Sequence, residues 1–168
     1  MNKKRIGIAA AIAAVLALGF ILYNQAIYSG EYVPAGDEIA LNIQLDTGED
    51  VGLLVFDYRV DGHEYSGGMS NADKSLIKHD ERLIEVWNRE TLQCSADTVE
   101  FSIQFRIITE YVEPNFENIY EEDITQYIKA PVSWEARFGE SYLITITGDR
   151  ANGYQAVLSE SAEKSGTR

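Results

Sequence analysis

Cysteine is nearly absent: Cys94 is the only one in 168 residues, so no disulfide can form within the chain. A domain without such staples must rest on its hydrophobic core, which a chain of this size can build. Cys94 is expected to be a partly buried apolar filler, with a disulfide to another chain as the alternative. Basic residues are also scarce. The chain has 14 Lys and Arg against 27 Asp and Glu, and three of the cations, Lys3, Lys4 and Arg5, stand at the start. Beyond residue 30 there are 27 acids against 11 basic residues, a net charge of −16. No basic stripe exists to meet phosphates, which excludes nucleic acid as a partner. Histidine is limited to His63 and His79, and no serine sits in the glycine-flanked turn of a nucleophile elbow. That leaves little basis for nucleophilic catalysis.

What the first thirty residues do have is an apolar run. Ile6 to Tyr23 contains no charged residue. At about 1.5 Å per residue such a run reaches roughly 27 Å as a helix, close to the bilayer hydrocarbon thickness. Lys3, Lys4 and Arg5 precede it, and Glu31, Asp37 and Glu38 are the first charges after it. The positive-inside rule then leaves the N-terminus in the cytoplasm and the rest of the chain outside. The run is longer than an ordinary signal-peptide core, and the best cleavage site, ending at Ala26, is preceded by Asn24 and Gln25. We therefore read a retained signal anchor; cleavage, giving a secreted domain, is the alternative. The layout is a basic stub at 1–5, a transmembrane helix at 6–23, a linker at 24–38, a folded domain at 39–159 and a polar tail at 160–168.

The folded part is dominated by a period of two. Ile39, Leu41, Ile43 and Leu45 alternate with polar or small residues, as do Val99, Phe101, Ile103, Phe105 and Ile107. The doublet Ile107–Ile108 breaks the phase, as a β-bulge or a crossing between sheets would. Tyr142, Ile144 and Ile146 form another strand, Tyr154, Ala156 and Leu158 a last one, and 82–87 and 132–138 two weaker ones. Asp61-Gly62 between β-rich runs predicts a two-residue type I′ hairpin. Counting outward from it pairs Val60 with His63, Arg59 with Glu64, Tyr58 with Tyr65 and Asp57 with Ser66. One segment has helical spacing, 118–129, with acids 121–123 in its first turn, Lys129 in its last and Pro131 beyond. These elements predict a mainly β fold: a two-layer antiparallel β-sandwich of immunoglobulin-like architecture with one short crossover helix, preceded by the transmembrane helix.

No motif for catalysis or for a tightly held cofactor emerges. Calcium is the one ion with a foothold. Asn71, Asp73 and Ser75 have the odd-position oxygens of a calcium loop, but Leu76 and Arg82 stand where its glycine and closing glutamate belong. Glu121, Glu122 and Asp123 could hold calcium only weakly. The expectation is no cofactor and no metal ligand. Exposed aromatic residues carry more weight. The acidic segment 110–123 is the longest insertion in the domain, and Tyr111, Phe116 and Tyr120 lie in it. Long loops on a rigid scaffold commonly carry function, so these three are the candidate ligand-binding residues. The sequence thus suggests a membrane-anchored extracytoplasmic domain of a bacterial envelope with a non-enzymatic role, binding a protein or glycan or serving as an accessory subunit. An envelope carbohydrate enzyme using two carboxylates, or a ligand-free spacer, are the alternatives.

Overall fold

A computed structural model of the chain describes residues 32–159. The stub, the apolar run at 6–23, most of the linker and the tail at 160–168 lie outside the described residues. Among the described residues no helix is long and apolar enough to cross a membrane.

The described residues form a mainly β fold, with two sheets and one short helix. The strands are β1 (Glu38–Thr47), β2 (Leu53–Val60), β3 (His63–Met69), β4 (Arg82–Asn88), β5 (Thr98–Ile108), β6 (Thr125–Tyr127), β7 (Val132–Arg137), β8 (Ser141–Asp149) and β9 (Gly153–Ser159). Sheet 1 runs β4-β1-β8-β9; sheet 2 runs β3-β2-β5, with β6 and β7 pairing successive parts of β5. Not every pairing is antiparallel as expected: β1 lies parallel to β8, Ala40 beside Ser141 through Thr47 beside Gly148. That arrangement places the first strand beside a strand more than ninety residues later, so a long-range pairing forms the middle of sheet 1, while β8 and β9 meet as a hairpin.

Alternation along the strands builds the core. Ile39, Leu41, Ile43 and Leu45 of β1 and Tyr142, Ile144 and Ile146 of β8 meet Phe56, Tyr58, Phe101, Ile103 and Phe105 from sheet 2, all buried in one cluster. A row of rings crosses the inner face of sheet 2. Tyr65 stacks on Tyr58 at 5.2 Å, Tyr58 on Phe101 at 5.7 Å and Phe101 on Trp134 at 4.9 Å. Sheet 1 closes on this row through Trp87, 4.9 Å from Phe101, and Tyr142, 5.7 Å from Trp134.

The counted hairpin register is found: Val60–His63, Arg59–Glu64, Tyr58–Tyr65 and Asp57–Ser66 are partners. Asp61 and Gly62 have φ of 47° and 88°, the two positive values a type I′ turn needs. The bulge expected at Ile107–Ile108 is not there. Both residues pair regularly with Leu54 and Leu53. Ile107 belongs to the main core, while Ile108 joins Leu53, Val55 and Ile124 in a second cluster on the other face. The broken phase records burial on both faces of one strand.

The helix expected at 118–129 is also absent. Thr125–Tyr127 is strand β6, and Asn118, the first residue of the segment, takes a left-handed φ of 48°. Thr125 and Tyr127 are good strand formers, and the free side of β5 beside them offers backbone partners. Ile124 and Ile128, read as one helical stripe, go to different clusters. The one short helix is α1 (Arg89–Leu92), capped by Asn88, whose Oδ1 accepts from Thr91 N at 2.8 Å.

Candidate functional site

Because β2 and β5 bury one face in the main core, their alternate residues are turned outward. Asp57, Arg59, Ser102 and Gln104 thus join Glu64 and Ser66 of β3 around an open concavity of about 620 Å³ on the outer face of sheet 2. The segment 109–124 sits at one end of this face. Its base is pinned where Thr109 N donates to Ile124 O at 2.9 Å. Gly52 lets the chain pass there, since a Cβ at that position would stand 1.8 Å from Glu110 O.

Arg106 ties the loop to the sheet. Its Nη1 donates to Asn118 O at 2.7 Å, its Nη2 pairs with Asp57 Oδ2 at 3.0 Å, and its guanidinium lies 5.9 Å from the Tyr127 ring centre. Asn118 Nδ2 donates to Ser66 Oγ at 2.5 Å, and Ser66 Oγ donates to Asp57 Oδ1 at 2.7 Å. The Arg106 side chain is only 12% exposed, so this network is screened less than an ordinary surface pair. Within the loop, Asn115 N donates to Tyr120 Oη at 3.2 Å, and Asn115 Nδ2 donates to Ile119 O at 3.2 Å. The turn is therefore held from inside and from below.

This frame presents an apolar tip. Phe116 is fully exposed, and Ile119 is 69% exposed. Phe116 and Tyr120 line a second concavity of about 420 Å³ with Pro114, Asn118, Gly67 and Gly68. Tyr120 also packs against the second apolar cluster. Of the three residues singled out in the sequence, Phe116 and Tyr120 come together, and Tyr111 does not line this hollow. Tyr111 faces Lys74, whose Nζ is 5.9 Å from the ring centre and 2.5 Å from Glu113 Oε1. The Lys74 ammonium holds the Glu113 carboxyl below its usual range, and desolvation and Glu113 push the Tyr111 phenol up. Arg106, Asn118 and Ser66 were missed. One signal was legible: the hairpin count already places Asp57 opposite Ser66.

His79, weighed as a base, pairs instead with Asp50 outside the loop and the concavity. His79 Nδ1 lies 3.0 Å from Asp50 Oδ1, and Lys78 Nζ 2.7 Å from Asp50 Oδ2; these contacts depress the Asp50 carboxyl. Among the described residues no group of three or more His, Cys, Asp or Glu side chains is arranged to hold a metal ion. Glu85, on β4 opposite Leu41, has its carboxyl raised by burial.

No family model matches the chain, and no curated protein matches it. Among solved structures, the chain is similar to pneumolysin at 8% identity over 76% of its length, with a TM-score of 0.36. It is similar to listeriolysin O at 8% identity over 73%, with a TM-score of 0.36. The human-specific toxin intermedilysin gives 11% over 73%, with a TM-score of 0.34. The chain spans about a quarter of the length of these proteins, 22–24%. At such TM-scores the likeness does not bear on function.

Proposed function

We propose that this chain is a binding domain of immunoglobulin-like sandwich build, held outside a bacterial membrane by the apolar run at 6–23, and that it takes a protein partner on the loop 109–124. The observation that carries this reading is Phe116: a fully exposed aromatic side chain on a turn braced by Asn115, Asn118 and Arg106. An ordered apolar residue left in water is a disadvantage to an isolated domain and an anchor for a complex. The tip also carries Ile119, which favours a protein surface over a glycan, since sugars are recognised by aromatic faces combined with hydrogen-bonding groups. The loop holds Glu110, Glu113, Glu117, Glu121, Glu122 and Asp123, with no basic residue among positions 109–124. The partner then has an apolar pocket with a basic rim.

The test uses the full chain in mild detergent and three probes: an amphipathic peptide of Lys and Leu, its Glu and Leu counterpart, and chito-oligosaccharides. Backbone amide shifts are the readout. Shifts confined to residues 113–120 with the Lys and Leu peptide, weakened by salt and absent in Phe116→Ser, are expected. Equal response to the Glu and Leu peptide would sink the basic-partner reading. Shifts from the sugar along Asp57, Ser66 and Gln104 would move the site to the open face of sheet 2.

A further inference from the structure

Every open sandwich has strand edges, and exposed edges recruit other strands unless something blunts them. Sheet 1 ends in β4 and β9; sheet 2 ends in β3 on one side and in β6 and β7 on the other. β4 carries Glu85, directed at the interior because its partner Leu41 is in the core, and Arg82 at its start. β3 carries His63 and Glu64, and its Tyr65 hydroxyl is tied to Leu92 O of α1 at 3.0 Å. The edge made by β6 and β7 is broken by Lys129, Ala130 and Pro131, and β7 carries Glu135 and Arg137. A charge, a proline, a bulge and an inward acid are the usual protections of a strand edge.

β9 has none of them. Gly153–Ser159 reads GYQAVLS, with no charge and no proline, in a domain rich in acids. Apart from its ladder with β8, no backbone group of β9 makes a hydrogen bond among the described residues. In an antiparallel pair half of a strand's N–H and C=O groups point away from its neighbour. Val157 on the outer face is 58% exposed. A groove of about 300 Å³ runs beside the strand, lined by Ile128, Lys129, Ala130, Tyr154 and Val157.

We infer that β9 is a pairing edge, and that its occupant is β9 of a second copy of this chain, laid antiparallel to give one continuous sheet through both sandwiches. Charge selects this occupant. Two copies whose outer parts each bear −16 repel wherever acids oppose acids, and an edge strand holding an acid would set like charges across the twofold axis. A strand without charge is the one edge that can face itself. Lys129, exposed in the adjoining groove, meets a net-negative copy favourably and would oppose a basic peptide. This inference is independent of the loop 109–124.

The test is made on the full chain in mild detergent. Sedimentation is measured at about 0.05 M and about 0.5 M salt, because screening shortens the range of repulsion from about 14 Å to about 4 Å. Expected is a monomer–dimer equilibrium that tightens with salt and is weakened at least roughly tenfold by Val157→Lys or Gln155→Lys, both at exposed positions, with unchanged melting. In a Cys94→Ser background, single cysteines at 154 to 159 are then oxidised. Cross-linking that alternates along β9 and exceeds that of Ile84→Cys in β4 and Glu64→Cys in β3 supports the twofold pair. A monomer at both salt concentrations overturns the inference. So does a dimer that cross-links equally at β3 or β4, or one that survives both lysine variants. An unrelated Val- and Thr-rich peptide that binds β9 while the chain stays monomeric would assign the edge to a foreign strand instead.

Discussion

Phe101 and Phe116 are the same side chain in opposite surroundings. Phe101 is buried, with Tyr58, Trp87 and Trp134 around it at ring distances of 4.9–5.7 Å. Phe116 has no ring neighbour among the described residues and is fully exposed. Burying a phenylalanine stabilises a fold by about 1.5–3 kcal/mol relative to leaving it exposed, so the domain forgoes that gain at position 116. The acids follow the same division. Glu85, at the rim of the buried rings, has its carboxyl raised by desolvation, whereas Glu113, beside the tip, is lowered by the hydrogen bond and charge of Lys74. The interior uses aromatic area for stability; the loop displays it.

If that division holds, the largest effect belongs to the interior. Phe101→Ala removes the ring at the centre of the row and is expected to cost about 3–5 kcal/mol in denaturant melts. A loss below about 1 kcal/mol would mean the row is not the keystone of the sandwich. Next comes Gly67→Ala on β3. A Cβ there would stand 2.5 Å from Cε2 of Phe56, whose ring covers the glycine. Overpacking of this kind costs about 1–3 kcal/mol. Phe56→Leu in the same chain should restore part of the loss, and failure to do so would show that the strain lies in the β3 backbone.

The interior was far more legible in the sequence than the loop. Alternation placed β1, β5, β8 and β9, because each turns a row of apolar residues to the core and carries polar or small residues between them. Asp61-Gly62 gave the hairpin with its register, since a two-residue type I′ turn leaves one way to count. The failures came where local spacing competes with long-range pairing. Residues 118–129 have helical spacing, yet β5 offers Arg106, Ile107 and Ile108 as strand partners, and no local pattern announces that offer. Ile107–Ile108 looked like a bulge because two-sided burial of β5 depends on the second cluster beneath the loop. Phe116 and Tyr120 were identified from loop length and composition alone. The Arg106–Asn118–Ser66–Asp57 network joins residues that are remote in the chain, and no local pattern announces it.

A smaller effect separates the two acid environments. The Glu85 carboxyl has a folded pKa above its ordinary value of 4.5, so the folded chain binds this proton more tightly than the unfolded one. Between the two values stability falls as pH rises, and at neutral pH the whole cost of the buried charge is present. Glu85→Gln should therefore raise the melting temperature at pH 7, with the gain shrinking to nothing as pH drops below the ordinary carboxylate range. A gain that persists in acid would assign the effect to packing rather than to charge.

The smallest stability effect is expected at the tip, and it is the most informative for function. Phe116 touches too little for its removal to matter to folding, so Phe116→Ser should leave the denaturation midpoint within about 0.5 kcal/mol of the parent. If it instead destabilises the domain by 1 kcal/mol or more, the ring supports the loop and the contrast with Phe101 dissolves. If the fold is unmoved while binding of the Lys and Leu peptide falls by about 2 kcal/mol or more, the residue acts only toward a partner. Asn118→Gly separates the ring from its mounting. Glycine accepts the left-handed φ of 48° but cannot donate to Ser66 Oγ. The ring then remains on a looser turn. A binding loss in Asn118→Gly close to that of Phe116→Ser would show that the tip works because it is held still.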